Sequence, residues 1–190
     1  MYPRRPLDQP EIDQAFATAY AELRRLAGAI SQQDRNSTLN PTALVNEAWI
    51  RLKSSPGFAA ESPLHFKRIA ARAMRQILVE AARRRQAAKR GGDGGAGFVA
   101  LSAAVDAPAP AALRVEDVLT LENALHELEE LNPRQAQLVE ARFFGGFEVS
   151  ELVESFGVSE ATVMRDWRMA RAWLAHRIGD ASSAAAGPAQ

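Results

Sequence analysis

Residues 149–178 read VSELVESFGVSEATVMRDWRMARAWLAHRI, and the rest of the chain takes its meaning from this stretch. Leu152, Val153 and Phe156 recur at helical spacing, and Ser150 stands where it can cap the helix they define. Gly157 follows, a residue that accepts the left-handed backbone at which helices stop. Ser159 then caps a second helix, with Thr162 three residues on in place of the Glu of a full capping box. Along that helix Val163, Trp167, Ala170, Leu174 and Ile178 recur at steps of 4, 3, 4 and 4, one buried stripe. Arg165, Arg168 and Arg171 fall off the stripe. A short helix, a glycine turn and a basic helix are the parts of a helix-turn-helix, whose second helix enters the DNA major groove. The plain alternative is a helical hairpin with a solvated basic face.

Composition narrows the classes. With 190 residues, 47% of them hydrophobic, the chain has apolar content enough for one large domain or two small ones. It has no cysteine, which excludes disulfides, thiolate metal sites and a cysteine nucleophile. No run of about 18 apolar residues is present for a membrane span. The start, MYPRRPLDQPEID, has no apolar run after its arginines and is not a secretory signal, so a cytoplasmic protein is expected. The net charge of zero conceals a split. Residues 1–96 hold 16 Lys and Arg against 9 Asp and Glu, and residues 97–190 hold 7 against 14, balances of +7 and −7. Such asymmetry suggests two units with different partners.

The boundary between them is legible. The region 93–112 is rich in Gly, Ala and Pro without helical period and is expected to be a flexible linker. Residues 180–190 are expected to form a disordered tail. Everything else reads as helix, so the fold class is all-α, with two small helical domains at 1–92 and 113–179. Three helices are expected before the linker: Glu11 to Ile30, one opened by Asn40-Pro41, and one from about Ser62-Pro63 to Arg90. The third carries Lys67, Arg68, Arg72, Arg75, Arg83, Arg84, Arg85, Lys89 and Arg90 against one acid, Glu80. A solvated helix face usually mixes signs; nine cations against one anion point to a polyanion. After the linker come an acidic helix over 114–131, one opened by Asn132-Pro133 and ended by Gly145-Gly146, and then the helix-turn-helix.

Three segments in this order resemble the bacterial sigma-70 family, and within it the extracytoplasmic-function (ECF) group. They are LNPTALVNEAWIRL (39–52), HFKRIAARAMRQILVEAARRRQAAKRGG (65–92) and RFFGGFEVSELVESFGVSEATVMRDWRMARAWL (142–174). The resemblance implies a sigma factor that binds core RNA polymerase, through the β′ clamp helices and the β flap, and directs it to promoter DNA. It assigns Asn46, Glu47, Trp49, Ile50 and Arg51 to docking on the polymerase. The loop over 54–63 and the start of the next helix would read and open the −10 element. Phe58, His65 and Phe66 would capture exposed bases, while Lys67, Arg68, Arg72, Arg75, Arg83 and Arg84 hold the strands. Glu160, Met164, Arg165, Arg168 and Met169 would face the −35 element, with Arg171 on phosphate.

One departure from the family pattern is chemical. Many members carry a cluster of acids just before the docking helix, whereas here the stretch is Asn40-Pro41-Thr42-Ala43, with Glu47 the nearest acid. Phosphorylation of Thr42 in the first turn would restore negative charge where a helix N-terminus favours it. That would make a Ser/Thr kinase a partner beside the polymerase, and the resemblance to the family adds an anti-sigma factor as an alternative one. An enzyme is not expected. Gly91 to Gly95 follow a helix rather than joining a strand to one, and His65, His126 and His176 are scattered, so neither a phosphate loop, nor a metal site, nor any cofactor is implied. The competing reading is a helix-turn-helix repressor or activator acting without core enzyme, which leaves the basic helix of the N-terminal half unexplained.

Overall fold

The computed structural model describes residues 5–31, 40–88 and 115–185, and these form seven α-helices and no strand. In chain order they are α1 (Gln9–Ser31), α2 (Pro41–Ser54), α3 (Pro63–Ala88), α4 (Val115–Leu131), α5 (Pro133–Gly145), α6 (Val149–Phe156) and α7 (Glu160–Ala185). The all-α class expected from the sequence is thus the observed one. The expected linker, 93–112, lies outside the described residues. Residues 180–185, expected as the start of a disordered tail, are helical: α7 continues through Ala185, with no glycine or proline over 180–185 to break it, and residues 186–190 lie outside the described residues.

Local chemistry sets the helix ends. Asn40 accepts a hydrogen bond from the Thr42 N–H at 2.9 Å, and Pro41 fills the first position of α2, where no N–H is needed. Asn132 does the same for α5 by accepting from the Gln135 N–H at 3.2 Å, ahead of Pro133. Ser62 opens α3 by accepting from the His65 N–H at 3.1 Å. Asp8, at the head of α1, trades hydrogen bonds with Glu11: its side chain takes the Glu11 N–H at 3.0 Å and its own N–H goes to Glu11 Oε2 at 2.9 Å. Helix α6 departs from expectation. It begins one residue before Ser150, and its cap is Glu148, whose N–H donates to the Glu151 carboxylate at 2.9 Å. Helix α6 ends at Gly157 with φ +63°, a conformation that a side chain would strain.

Helix α3 is the centre of the molecule. Its apolar side is buried by α1 and α2 from the N-terminal half and by α4 and α5 from the C-terminal half, with α6 touching its start. Phe66, Met74 and Ile77 are fully buried, and one continuous core joins them to Leu121, Leu125, Phe144 and Phe147 across the chain. The two halves expected as separate domains therefore share a core. Around Phe66 the rings are ordered. Phe16 and Trp49 stack at 4.3 Å between centroids, and Phe66 meets Phe16, Trp49 and Phe58 edge-on at 5.9 to 6.5 Å. Helix α7 buries Val163, Trp167, Ala170, Leu174 and Ile178, the expected stripe, against α4 and α5. Arg142 of α5 lies 4.8 Å over the Trp167 ring.

Truncation at the centre of this packing should be costly. Phe66→Ala is expected to destabilise the fold by about 3–5 kcal/mol in urea unfolding, the range for emptying a buried aromatic site. A loss below about 1 kcal/mol would contradict the central placement of this ring.

Candidate nucleic-acid and polymerase interface

Three exposed strips carry the residues singled out in the sequence. The first lies on α2. Asn46 and Ile50 project outward, Ile50 with 66% of its surface exposed, while Leu44, Val45, Ala48 and Leu52 are buried in the core. Trp49 is half-buried against Phe16, with the Lys53 ammonium 4.7 Å from its ring. Arg51 is turned back into the molecule. Its guanidinium grips the Glu80 carboxylate with two bonds of 2.7 and 2.8 Å and lies 3.7 Å from Glu47. That paired geometry raises the Arg51 pKa and lowers that of Glu80, so both stay charged. The single acid of α3 is therefore spent on holding α2 in register.

Helix α3 and the loop before it make the second strip. Arg72, Arg83 and Arg84 are exposed, and Arg68 is half-buried with its guanidinium 5.8 Å from the Phe156 ring. Phe58 and His65 are half-buried at the loop. Three expected contacts are placed differently. Phe66 is a core ring and is not presented to a base. Lys67, only 6% exposed, lies 2.8 Å from Glu22 and 2.9 Å from Glu151. Arg75 is likewise held, 2.7 Å from Glu122 and 2.5 Å from Glu140. The sequence marked these residues only as cations on a basic helix; their acids come from helices up to 84 residues away.

The third strip is on α7. Glu160, Met164, Arg165, Arg168, Met169 and Arg171 are all exposed, and Met164 and Met169 show 39% and 57% of their surface. The stripe of apolar residues goes inward, so the polar and methionine face is turned outward by the same 3.6-residue period. Asp166 was not singled out in the sequence. It is 3% exposed and accepts from Arg134 of α5 at 2.7 to 2.8 Å, with Arg165 3.6 Å away. The clue was its place: it falls one residue before Trp167, on the edge of the buried stripe, where an acid requires a cation. Farther along, Arg177 holds Glu127 of α4 with bonds of 2.6 and 2.7 Å. These two ion pairs fix how α7 sits on α4 and α5. Among the described residues no group of three or more His, Asp or Glu could hold a metal ion, and no helix is long and apolar enough to cross a membrane.

His65 gives the α3 strip a pH signature. Its Nδ1 accepts from the Glu61 N–H at 3.1 Å, and burial, then the charge of Arg68, holds its pKa below the ordinary imidazole value. A folded pKa below the unfolded value of about 6.5 contributes stability that is complete above that pH and is lost as pH falls through the folded value. The urea midpoint should therefore drop between about pH 7.5 and 5, and the drop should be smaller in His65→Gln. Equal drops in the two proteins would show that His65 contributes nothing.

Comparison with known proteins bears on the chain as a whole. The sequence model of the family described as ECF sigma factor matches residues 7–180, which includes every helix described above save the last residues of α7. No curated protein and no solved structure matched the chain. A match over nearly the whole length supports a role in transcription initiation, with RNA polymerase and promoter DNA as partners, in a family of transcription factors rather than enzymes. The chain belongs to the ECF sigma factor family.

Proposed function

We propose that the chain binds core RNA polymerase through the outer face of α2, engages the −10 element with the α3 strip and its preceding loop, and reads the −35 element with α7. The observation that carries this reading is the segregation on α7. Four arginine and methionine side chains, Met164, Arg165, Arg168 and Met169, stand outside the core together with Glu160, while the same helix buries its apolar stripe. Arginine contacts guanine edges in the major groove and an apolar tip contacts the thymine methyl, so this mixture suits base reading better than simple solvation. Exposed Arg72, Arg83 and Arg84 on α3 suit phosphate, which carries no sequence information but supplies affinity. Asn46, Glu47, Trp49 and Ile50 remain the docking set, with exposed Ile50 the apolar centre, while Arg51, expected among them, is bonded to Glu80 and holds α2 in place behind them. A repressor or activator that works without core enzyme is not favoured by the family.

Thr42 fits the proposed restoration of charge by phosphorylation. It occupies the first turn of α2, and Arg24 Nε donates to its hydroxyl at 3.1 Å. A phosphate there adds about −1.5 to −2 charge beside a guanidinium and a helix N-terminus. Thr42→Glu should then bind core polymerase more tightly than Thr42→Ala, and equal affinities would remove the proposal.

Run-off transcription with purified core polymerase and a library of promoter templates tests the main reading. A specific transcript is expected above core alone, and its absence across the library would overturn the assignment. Within a working promoter, Arg165→Ala or Arg168→Ala should cost about 1–3 kcal/mol of discrimination at one −35 position. Arg72→Ala should instead weaken binding evenly across sequences and reduce the salt slope by about 1.

A further inference from the structure

The helix that carries the outward arginine and methionine face also carries a buried acid. Asp166 lies in the second turn of α7 and is only 3% exposed. Aspartate is a weak helix former, and a carboxylate taken out of water is costly unless cations meet it. Two do. Arg134 of α5 reaches one oxygen, Oδ2, through Nε at 2.8 Å and Nη2 at 2.7 Å. The other oxygen, Oδ1, faces Nε of Arg165 at 3.6 Å. One carboxylate is thus divided between a cation of the neighbouring helix and a cation of the outward face.

Anchorage alone does not call for this acid. Val163, Trp167 and Ala170 already bury α7 against its neighbours, and Arg142 of α5 covers the Trp167 ring. Apolar residues of similar volume commonly hold a helix as well as a buried ion pair does. The contact to Arg165 has a different consequence. Successive residues of a helix point about 100° apart, so Arg165 meets Asp166 only by leaning sideways along the helix surface. At 3.6 Å the attraction is electrostatic, without a hydrogen bond to hold the side chain fast. Among the described residues Asp166 is the one ionic partner of Arg165, whose side chain keeps 58% of its surface exposed. A guanidinium reads guanine by aiming two N–H groups at O6 and N7, so its direction decides whether it meets a base edge or a phosphate.

We propose that Asp166 is a positioning residue for promoter specificity: its Oδ1 aims Arg165 at a base of the −35 element, and Arg134, by occupying Oδ2, keeps that hold loose. This rests on the reading of α7 given above. With one oxygen already taken, the acid steers Arg165 without capturing it, and the guanidinium can still leave for the base. Less ordering of the side chain then remains to be done when DNA arrives.

The holoenzyme and a promoter library randomised over the −35 element test this. Arg165→Ala first identifies the base pair that Arg165 reads, as the position whose preference disappears. Asp166→Asn should lower the preference at that same base pair roughly 3- to 10-fold, the worth of ordering one long side chain, and leave the other −35 positions as they were. In the Arg165→Ala background, Asp166→Asn should change the base profile no further. A loss spread evenly over the −35 positions would reveal a plain staple between α5 and α7 and overturn the proposal, as would an unchanged profile. Should Asp166→Asn not fold, Arg134→Gln decides. Asp166 then draws Arg165 inward, and preference should fall at the same base pair alone; unchanged preference there overturns the proposal. The two readings fail differently. An unaltered holoenzyme with no −35 preference removes base reading by α7 and this proposal with it, whereas a preference that both variants leave intact removes only the role of Asp166.

Discussion

Burial of one side of α3 by helices from both halves of the chain is the constraint on which the structure depends. An amphipathic helix of 26 residues offers more apolar surface than α1 and α2 cover, and α4 and α5 take the remainder. The hydrophobic gain is non-directional, so it brings the halves together without choosing their register. Directional contacts make that choice. Lys67 between Glu22 and Glu151, and Arg75 between Glu122 and Glu140, sit at the rim of the shared core and tolerate little displacement.

The strips on α2 and α7 are each set by an ion pair behind them. Arg51 and Glu80 hold α2 on α3 and leave Ile50 and Asn46 outward. Arg134 and buried Asp166 hold the start of α7 on α5, and the arginine and methionine face follows from that register. A surface that must meet another macromolecule benefits from being presented on rigid helices, because less ordering remains to be done on contact. The charged residues thus divide by task. Those with short internal bonds shape the molecule, and those that remain outward are left for polymerase and DNA.

The division was only partly legible in the sequence. Caps could be read because their chemistry is local: Asn40-Pro41, Asn132-Pro133 and Ser159 do in the structure what their position implied. Ser150 shows the limit, since Glu148 and Glu151 offered a competing cap two residues earlier, and the packing of α6 on α3 and α7 goes with that choice. Phe66 shows another. One phenylalanine beside a basic run is compatible with a base-stacking ring or a core ring, and the meeting of Phe16, Trp49 and Phe58 around it made it core.

The sequence by itself determined the all-α class, the order of the helices, the buried stripe of α7 and the family to which the chain belongs, because helical period, capping and motif order are properties of neighbours along the chain. Only the tertiary structure decided which cations are free to face a polyanion. Pairing depends on which acids arrive within about 4 Å, and those acids come from distant helices brought in by a shared core. Lys67 and Arg72, five residues apart in one basic run, therefore end up with opposite fates, one enclosed and one exposed.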